Sequence, residues 1–525
     1  MPLTKIVTSE QMGRIERLSE EAGVSTDTLM EQAGLAVARR IYQHLESLDG
    51  VPLAVLVGPG NNGGDGLVAA RHLHHWGAAV TVYLCLDRRQ PDPNLDIVRE
   101  RGVTVLSASD DPGLTGLNQV LDSARMVVDS VLGTGRARPV DGILKETLLA
   151  VSEAVVRRPD LTVLSVDLPT GLNADTGASD PACVTADVTV TLGHPKVGLF
   201  APAAADKIGS LETVDIGLPP GLDDDIDLEL MSSAWARSTL PLRPVAAHKG
   251  TFGRTLVVAG SCNYVGAAYL ASAAATRVGA GLVTLAIPES LQAAVAARAA
   301  EPTYLPLPEV SPGVVSAEAV AVVLENLAVY DTLLLGCGIG QAPTTREMVE
   351  TLLYGDSRLP PMVVDADGLN LLSVSDTKNS PWWQKFSSNA ILTPHPGEMG
   401  RLSGESAERV QDDRIEVARE TASRWNKVVV LKGAHTIVAS PGGRAMVSPF
   451  VNPGLASAGT GDILAGAITG LLSQGLTLED AAFLGVYLHG MAGELVRAEI
   501  GDTGMIASDL LPALPRAIKE LREGV

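Results

Sequence analysis

The sequence predicts an α/β protein with two domains, of which the first is built on a doubly wound parallel sheet. In each half, short apolar runs alternate with segments long enough for a helix, which is typical of strands joined by helical crossovers. Between the halves, residues 217–249 break this pattern with prolines and a cluster of acidic residues near residue 225, which we interpret as a solvated linker. A chain of 525 residues that is 46% apolar and 19% charged is long enough for two large globular domains.

The overall charge and the lack of targeting signals restrict the partners. A net charge of −21 argues against a nucleic-acid partner, because the phosphate backbone would be repelled. No apolar run reaches the length of a membrane helix and no signal peptide is evident, so we expect a soluble, cytoplasmic protein without a membrane partner. The four cysteines form no CxxC pair and are interpreted as buried thiols in a reducing compartment.

The first half begins with two helices and continues with five strands. Thr8 and Gln11 predict a capping box at the start of the first helix, and an apolar stripe from Leu29 to Leu45 predicts the second. The apolar runs predict strands at 53–57, 80–86, 126–129, 161–167 and 187–192. Because parallel strands end at one edge of their sheet, the polar residues that follow them are expected to line one crevice.

A glycine-rich segment follows the first of these strands. Residues 58–63 fit the pattern G-x-G-x-x-G, and Asp87 follows the next strand, which together fit a dinucleotide fingerprint. The segment also contains Asn61, Asn62 and Asp65, which are more polar side chains than a pyrophosphate cradle requires. A plain turn between a strand and a helix is the simpler alternative.

Later strand ends add further oxygen donors. Asp129 and Asp167 end two of the predicted strands, and Thr170 follows closely. Together with Asn62, they offer oxygen atoms and neither histidine nor cysteine, so the pattern favours a hard cation over zinc. Each aspartate taken singly is also consistent with an ordinary helix cap or turn residue.

The motifs MEQAG (30–34), GPGNNGGDG (58–66), VVDSVLGTG (127–135) and VDLPTGLNADTG (166–177) resemble, in this order, the NAD(P)H-hydrate epimerase domain. The resemblance covers about residues 1–220. It implies a Rossmann-like fold and inversion of the hydroxylated C6 of hydrated NADH or NADPH. The dinucleotide would then be a substrate rather than the cofactor of a dehydrogenase.

The same resemblance implies roles for individual residues. Asp167 would contact the reacting ring as a general acid or base. Asn62, Asp129 and Thr170 would hold a potassium ion. The implied substrate-binding residues of the two loops are Asn61, Asn62, Gly63, Gly64, Asp65, Gly133, Thr134, Gly135, Arg136, Ala137, Arg138 and Pro139.

In the second half, strands are predicted at 254–260, 281–288, 331–336, 361–367, 389–394 and 427–433. His395, held between two prolines after one strand, suits a ligand contact, and Lys432, after another, suits a nucleotide phosphate. Asp462 follows Gly459 and Gly461 at a helix start, where backbone N–H groups stabilise negative charge. It is placed to act as general base for a substrate hydroxyl, and the alternative is an ordinary N-cap.

The G-T-G-D of this half resembles the ribokinase-like superfamily. Together with HKGTFG (248–253), GSCNYVGAA (260–268), GCGIG (336–340), DADGLN (365–370) and HPGE (395–398), it resembles the ADP-dependent NAD(P)H-hydrate dehydratases over about residues 229–523. The resemblance implies that ADP phosphorylates the C6 hydroxyl, that loss of phosphate regenerates the nicotinamide, and that Mg²⁺ assists. The implied hydrate contacts are Ala267, Gly340, His395 and the catalytic Asp462. The implied nucleotide contacts are Lys432, Gly433, Ala434, His435, Thr436 and Gly461.

We therefore expect a bifunctional metabolite-repair enzyme with an epimerase domain at residues 1–225 and a dehydratase domain at 226–525. Its expected substrates are the hydrates NADHX and NADPHX together with ADP, and the family suggests a homo-oligomer. One alternative is a small-alcohol kinase of the ribokinase-like superfamily fused to a dinucleotide-sensing module. Another is that the first half is a protein-interaction module, although such a module needs no aspartates at converging strand ends.

Overall fold

The structure, a computed structural model, describes residues 4–88, 91–135, 139–375 and 381–524. The chain forms two compact units, one of which spans Thr4–Ile226 while the other begins at Asp227. Within the described residues, no helix has the length and apolarity needed to cross a membrane.

The first unit is a doubly wound sheet with helices on both faces. Its strands are β1 (Thr4–Lys5), β2 (Pro52–Val57), β3 (Ala79–Leu84), β4 (Thr104–Ser107), β5 (Met126–Ser130), β6 (Thr162–Val166), β7 (Val188–Leu192) and β8 (Ser210–Val214). Its helices are α1 (Ser9–Glu21), α2 (Thr26–Leu45), α3 (Asn61–His75), α4 (Pro93–Glu100), α5 (Thr115–Ser123), α6 (Gly142–Arg157) and α7 (Ala205–Ile208). Seven strands are parallel in the order β4-β3-β2-β5-β6-β7-β8. From β2 the chain adds β3 and β4 on one side and then β5 to β8 on the other, so the strand order reverses between β2 and β5. Sheets of this kind bind ligands at that switch point.

Alternating residues of β2 explain the two core layers of this unit. Leu53 and Val55 pack into one apolar cluster with α2 and α3, while Ala54 and Leu56 pack into another with α5 and α6. Successive strand residues point to opposite faces, so a strand that is apolar on both faces needs helices on both sides. The predicted three-layer α/β architecture is confirmed for this unit. The predicted capping box at Thr8 is also present.

The second unit has a larger sheet and more helices. Its strands are β9 (Leu228–Leu230), β10 (Arg254–Val258), β11 (Leu282–Pro288), β12 (Thr303–Leu307), β13 (Glu309–Ser311), β14 (Val314–Val315), β15 (Thr332–Leu335), β16 (Met362–Val364), β17 (Ala390–Leu392), β18 (Val428–Leu431), β19 (Ile437–Ala439) and β20 (Ala445–Val447). Its helices are α8 (Ser233–Thr239), α9 (Val265–Arg277), α10 (Gln292–Ala296), α11 (Ala319–Leu327), α12 (Pro343–Tyr354), α13 (Asp367–Val374), α14 (Trp382–Lys385), α15 (Pro396–Ser403), α16 (Ala407–Asp412), α17 (Arg414–Trp425), α18 (Thr460–Ser473), α19 (Leu478–Ile500) and α20 (Ala507–Glu523).

Within this unit, the strand order is β9-β20-β19-β18-β17-β16-β15-β10-β11-β12. In this order, the seven strands that begin with β18 and end with β12 are parallel to one another. Strand β19 is antiparallel to both of its neighbours. Helices α9, α18, α19 and α20 contribute to one large apolar cluster against the sheet. In this layer Gly466 of α18 lies against the Ala271 carbonyl of α9, and a side chain at Gly466 would collide with it.

The structure corrects several details of the sequence analysis. Strands β4, β8 and β12 and the β19–β20 hairpin were missed; β4 and β8 are largely half-buried and therefore lack the strong apolar pattern of central strands. The acidic cluster near residue 225 was interpreted as a solvated linker, but Glu229 lies in β9 at 8% exposure and pairs with Arg444 at 3.0 Å. Cys262 was expected to be buried and is exposed.

Candidate active sites

The carboxyl edge of the first sheet holds Asp129 in a fixed position. Asp129 lies in β5 and is 1% exposed. Its carboxylate accepts hydrogen bonds from the Thr170 backbone N–H at 2.8 Å, the Thr170 hydroxyl at 2.6 Å and the Ser165 hydroxyl at 3.1 Å. Burial raises the pKa of Asp129, and the hydrogen bonds from Thr170 act in the opposite direction. The Asp129 and Thr170 oxygens are therefore held together, as the sequence predicts.

Asn62 lies beside this pair and has unsatisfied polar atoms. It is 7% exposed, and neither atom of its amide has a hydrogen-bond partner among the described residues. A Cβ added at Gly133 would lie 3.2 Å from the Asn62 Cβ, and the neighbouring Leu132 N–H donates to the Thr170 hydroxyl at 3.0 Å. A buried amide without a partner costs free energy, so it indicates a bound ligand or ion.

Asp167 follows β6 and forms a buried ion pair that the sequence analysis missed. Its partner is Lys196, which is 1% exposed and also donates to the Leu192 carbonyl at 3.2 Å. The Asp167 carboxylate accepts further hydrogen bonds from the Thr191 hydroxyl and the Leu192 N–H. Its backbone φ of 69° is rare outside glycine, and such strain is concentrated at functional sites. In the sequence, the signal that could have revealed this ion pair is the position of Lys196 shortly after the end of β7.

The glycine-rich segment forms the beginning of a helix. Helix α3 begins at Asn61, so residues expected in a loop make its first turn. A Cβ at Gly63 would collide with the Gly58 carbonyl, and one at Gly64 with the Met30 sulfur. The glycines therefore allow the helix start to pack closely on these neighbours, and the backbone N–H groups of a helix start suit a pyrophosphate.

The remaining predicted residues of this unit differ in exposure. Asp65 is 8% exposed, and burial together with the charges of Asp167 and Glu16 raises its pKa well above the ordinary value. Thr134 is half-buried, while Gly135 and Pro139 are exposed. The predicted substrate contacts Arg136, Ala137 and Arg138 lie outside the described residues.

In the second unit, five neighbouring parallel strands end at one edge. In sheet order they are β18, β17, β16, β15 and β10. The predicted motifs LKGAHT, TPHPGE, DADGLN, GCGIG and GSCNYVG follow these strands. The topology therefore brings together motifs that are spread over much of this half of the chain.

Asp462 is the third residue of helix α18, and Gly459 is the N-cap. The alternative that Asp462 is the N-cap is therefore wrong. Burial and the charge of Asp365 raise the pKa of Asp462 to about 7. One ligand atom each of Cys337, Asp365 and Asp462 lies within 4.8 Å of the others. A carboxylate with a pKa near neutrality is suited to take a proton from a hydroxyl.

Lys432 provides the positive charge of this site. Its Nζ lies 2.8 Å from Asp365 Oδ1 and 3.7 Å from Glu398 Oε2. Burial lowers the pKa of Lys432, but the charges of Asp365 and Glu398 outweigh it and the pKa is raised. A Cβ at Gly461 would lie 3.5 Å from this Nζ, so the ammonium group lies beside the start of α18. A cation next to the N–H groups of a helix start is suited to bind a phosphate. Asp365 and Glu398 were not singled out from the sequence.

His395 is the N-cap of α15 and is half-exposed. Its Nδ1 accepts hydrogen bonds from the Gly397 and Glu398 N–H groups at 3.0 and 3.4 Å. Burial and the charge of Lys432 lower the pKa of His395. The lowered pKa favours the neutral imidazole, whose Nε2 lies 3.5 Å from Glu398 Oε1.

The two small predicted contacts lie along adjacent loops. Gly340 donates its N–H to Asp367 Oδ2 at 2.9 Å and has a φ of 82°. A Cβ at Gly338 would lie 2.8 Å from the Ala267 Cβ, so the start of α9 packs on the GCGIG turn. Both positions are at the carboxyl edge that carries Asp462.

The segment after Lys432 is a tight turn. The Gly433 N–H donates to the Thr436 hydroxyl at 3.3 Å, and that hydroxyl donates to the Gly433 carbonyl at 2.9 Å. Ala434 is half-buried, whereas His435 is 4% exposed with Nδ1 3.0 Å from the Ser448 carbonyl. Burial lowers the pKa of His435 to about 4. Its imidazole belongs to the core, so a nucleotide contact at this position would use the backbone.

Comparisons with known proteins identify the family of the chain. Residues 255–516 match the family described as NAD(P)H-hydrate dehydratase, and residues 26–198 match the YjeF-related protein N-terminus. The bifunctional NAD(P)H-hydrate repair enzyme of Moorella thermoacetica is 40% identical, over 99% of this chain and 98% of that protein. The chain belongs to the bifunctional NAD(P)H-hydrate repair enzymes. The predicted fold class and the predicted family are confirmed.

Other members of this family show the same full-length likeness. The Thermofilum pendens repair enzyme is 38% identical, over 96% of this chain and 94% of that protein. Among solved structures, the ADP/ATP-dependent NAD(P)H-hydrate dehydratase of Bacillus subtilis is 33% identical, with a TM-score of 0.48, and covers 56% of this chain and 98% of that one. The dehydratase match includes Lys432 and Asp462, and the N-terminal match includes Asp129, Asp167 and Lys196.

Proposed function

We propose that this repair enzyme restores hydrated NADH and NADPH in two steps. The first unit interconverts the R and S epimers at C6, and the second unit uses ADP to dehydrate the S epimer, leaving AMP and phosphate. The support is a pair of separate sites, each with buried carboxylates at the carboxyl edge of a parallel sheet, in a chain that resembles bifunctional repair enzymes along its whole length.

In the epimerase site, Asp167 is the group that we propose contacts the hydroxylated C6 and acts as a general acid or base. Lys196 holds the Asp167 carboxylate in place and balances its charge in a region that water hardly reaches. The helix start at Asn61 and the loop that begins at Gly133 would bind the pyrophosphate through backbone N–H groups.

A potassium ion fits the first site. The unpartnered amide of buried Asn62 and the oxygens of Asp129 and Thr170 form an oxygen-only donor set, which is the set that a hard cation prefers. These three residues would hold it. When bound, the ion would offset the negative charge of Asp129 and of the substrate phosphates.

In the dehydratase site, Asp462 would take the proton of the C6 hydroxyl as that oxygen attacks the β-phosphate of ADP. Lys432 and the N–H groups at the start of α18 would stabilise the charge on the transferred phosphoryl group. Loss of phosphate from C6 then regenerates the nicotinamide ring. The position of Lys432 beside Gly461, next to Asp462, is the observation that carries this step.

Magnesium also fits this site, because Mg²⁺ bound to a nucleotide needs only one or two protein carboxylates. Asp365 and Glu398 are buried carboxylates beside Lys432 and would supply them. When bound, Mg²⁺ would neutralise phosphate charge. A cytoplasmic location and a homo-oligomeric state stay predictions from the sequence.

The test uses the full chain, an equilibrated mixture of NADHX epimers, and ADP. We expect complete recovery of NADH absorbance, with one AMP and one phosphate formed per NADH. The Asp129→Ala variant should convert only the S epimer to NADH until spontaneous epimerisation intervenes. The Asp462→Asn variant should form almost no NADH. The exposed Asp122→Ala is the matched control and should behave like the wild type. Accumulation of a stable phosphorylated product without NADH would instead support the small-alcohol kinase.

A further inference from the structure

Three buried aspartates lie at the carboxyl edge of the first sheet, and their carboxyl groups have different partners. Asp129 accepts hydrogen bonds from Thr170 and Ser165, and Asp167 is ion-paired with Lys196. Asp65 is 8% exposed, yet none of the described residues donates a hydrogen bond to its carboxyl group. A buried carboxylate without a donor is costly, whereas a protonated carboxyl group is tolerated there.

The surrounding charges act in the same direction. Burial is the largest effect that raises the pKa of Asp65, and the negative charges of Asp167 and Glu16 raise it further. The positive charge of Lys196 lowers it, but by less than these effects combined. Two carboxyl groups on one sheet edge thus differ in environment: Asp167 is paired with a cation, whereas burial and neighbouring negative charges favour the protonated form of Asp65. Neighbouring carboxyl groups held in different states are typical of an acid and a base in one site.

We propose that Asp65 is the general acid of the epimerisation and that Asp167 is the general base; this inference rests on the proposed epimerase function. The topology supports it, because Asp65 follows β2 and Asp167 follows β6, on either side of β5 in the sheet. Asp65 lies in the second turn of α3, so both residues are placed near the switch between β2 and β5, where sheets of this kind bind ligands.

The chemistry requires both groups, because C6 of the hydrate carries the hydroxyl group and is also bonded to the ring nitrogen N1. Asp167 takes the hydroxyl proton, the C6–O bond becomes a carbonyl, and the C6–N1 bond breaks. Its electron pair goes to N1, which Asp65 protonates. After rotation about C5–C6, N1 attacks the other face of the carbonyl. N1 returns its proton to Asp65, and the new alkoxide takes the proton held by Asp167.

The experiment follows the full chain in two phases on an equilibrated epimer mixture with excess ADP. The first phase consumes the S epimer, and the second is limited by epimerisation of the R epimer. For Asp65→Asn we expect kcat of the second phase to fall about 10²–10³-fold, with KM changed less than about threefold and the first phase unaffected. Asp65→Glu should restore part of the rate, and Asp122→Asn, at an exposed aspartate, should behave like the wild type.

A pH profile separates an acid from a mere contact. In the wild type, the epimerisation kcat should fall as the pH rises through the raised pKa of Asp65, and Asp65→Asn should lack this decline. If Asp65→Asn keeps more than about a third of the wild-type kcat, or raises KM alone, the acid role is refuted. If the wild type shows no second phase above the spontaneous rate, the epimerase assignment itself fails, and this inference fails with it.

Discussion

Replacing Asp462 with asparagine should make the repair enzyme inactive as a dehydratase and, at the same time, more stable. In the folded chain, burial and the charge of Asp365 raise the pKa of Asp462 to about 7, against an ordinary value of 3.8. Between about pH 4 and pH 7 the unfolded chain ionises this group while the folded chain keeps the proton. The resulting loss of stability therefore grows as the pH rises through this range and is complete above about pH 7.

The size of this effect follows from the same values. A pKa of about 7 instead of 3.8 corresponds to about 4 kcal/mol of stability at high pH. Because Asp462 is only partly buried, solvent screening reduces this figure, and we expect about 2 kcal/mol. Asparagine has the same size and no charge, so Asp462→Asn should regain this energy. Removal of a general base should meanwhile lower turnover by about 10²–10⁴-fold.

Urea unfolding monitored by tryptophan fluorescence, at about pH 8 and about pH 5.5, measures the gain in the free energy of unfolding. The gain should be about twice as large at the higher pH. Calorimetry should show nearly unchanged ADP affinity, because Lys432 is retained. In the wild type, turnover should rise with pH through about 7, as the base ionises. A variant no more stable than the wild type at either pH, or one that keeps more than about a tenth of its turnover, would refute the reasoning.

Three further predictions concern the charged groups of the two sites. Lys196→Met should slow epimerisation about 100-fold or more and leave dehydration of the S epimer intact, because it removes the cation paired with buried Asp167; an unchanged second phase would contradict this. The wild-type epimerisation rate should depend on potassium, and Asp129→Ala should abolish this activity. Equal wild-type rates with and without potassium would exclude the ion. Lys432→Met should raise the KM for ADP about 10–100-fold, and an unchanged KM would place the phosphates elsewhere.

The sequence predicted the parts of the fold that local patterns determine. Central strands buried on both faces, such as β2 and β15, appear as continuous apolar runs and were located within a few residues. Edge strands such as β4 have half-buried residues and give no such pattern. The expected loop at Asn61 is a helix start because glycines permit close packing there, which depends on distant neighbours such as Met30.

The same division applies to the sites. Residues within dense motifs, such as Asp129 and Asp462, could be found from the sequence because several unusual residues cluster there. Lys196, Asp365 and Glu398 were missed because their significance lies in buried ion pairs between segments that follow different strands. A buried charge is apparent only when its partner is known, and that partner is set by the tertiary fold.

The packing of α18 on α9 has a consequence for how the protein is made. Gly466 of α18 packs against the Ala271 carbonyl of α9, a helix that lies much earlier in the chain. Helix α18 thus completes the helix layer that also contains α9. Asp462 lies on this helix, which follows every strand of its sheet in the sequence. A nascent chain on the ribosome therefore has all the strands of the second sheet before it has the carboxylate that we propose as the general base. The appearance of ADP-dependent activity during translation would therefore report when α18 packs on α9. This step is expected to be slow, because it brings together residues that are far apart in the sequence.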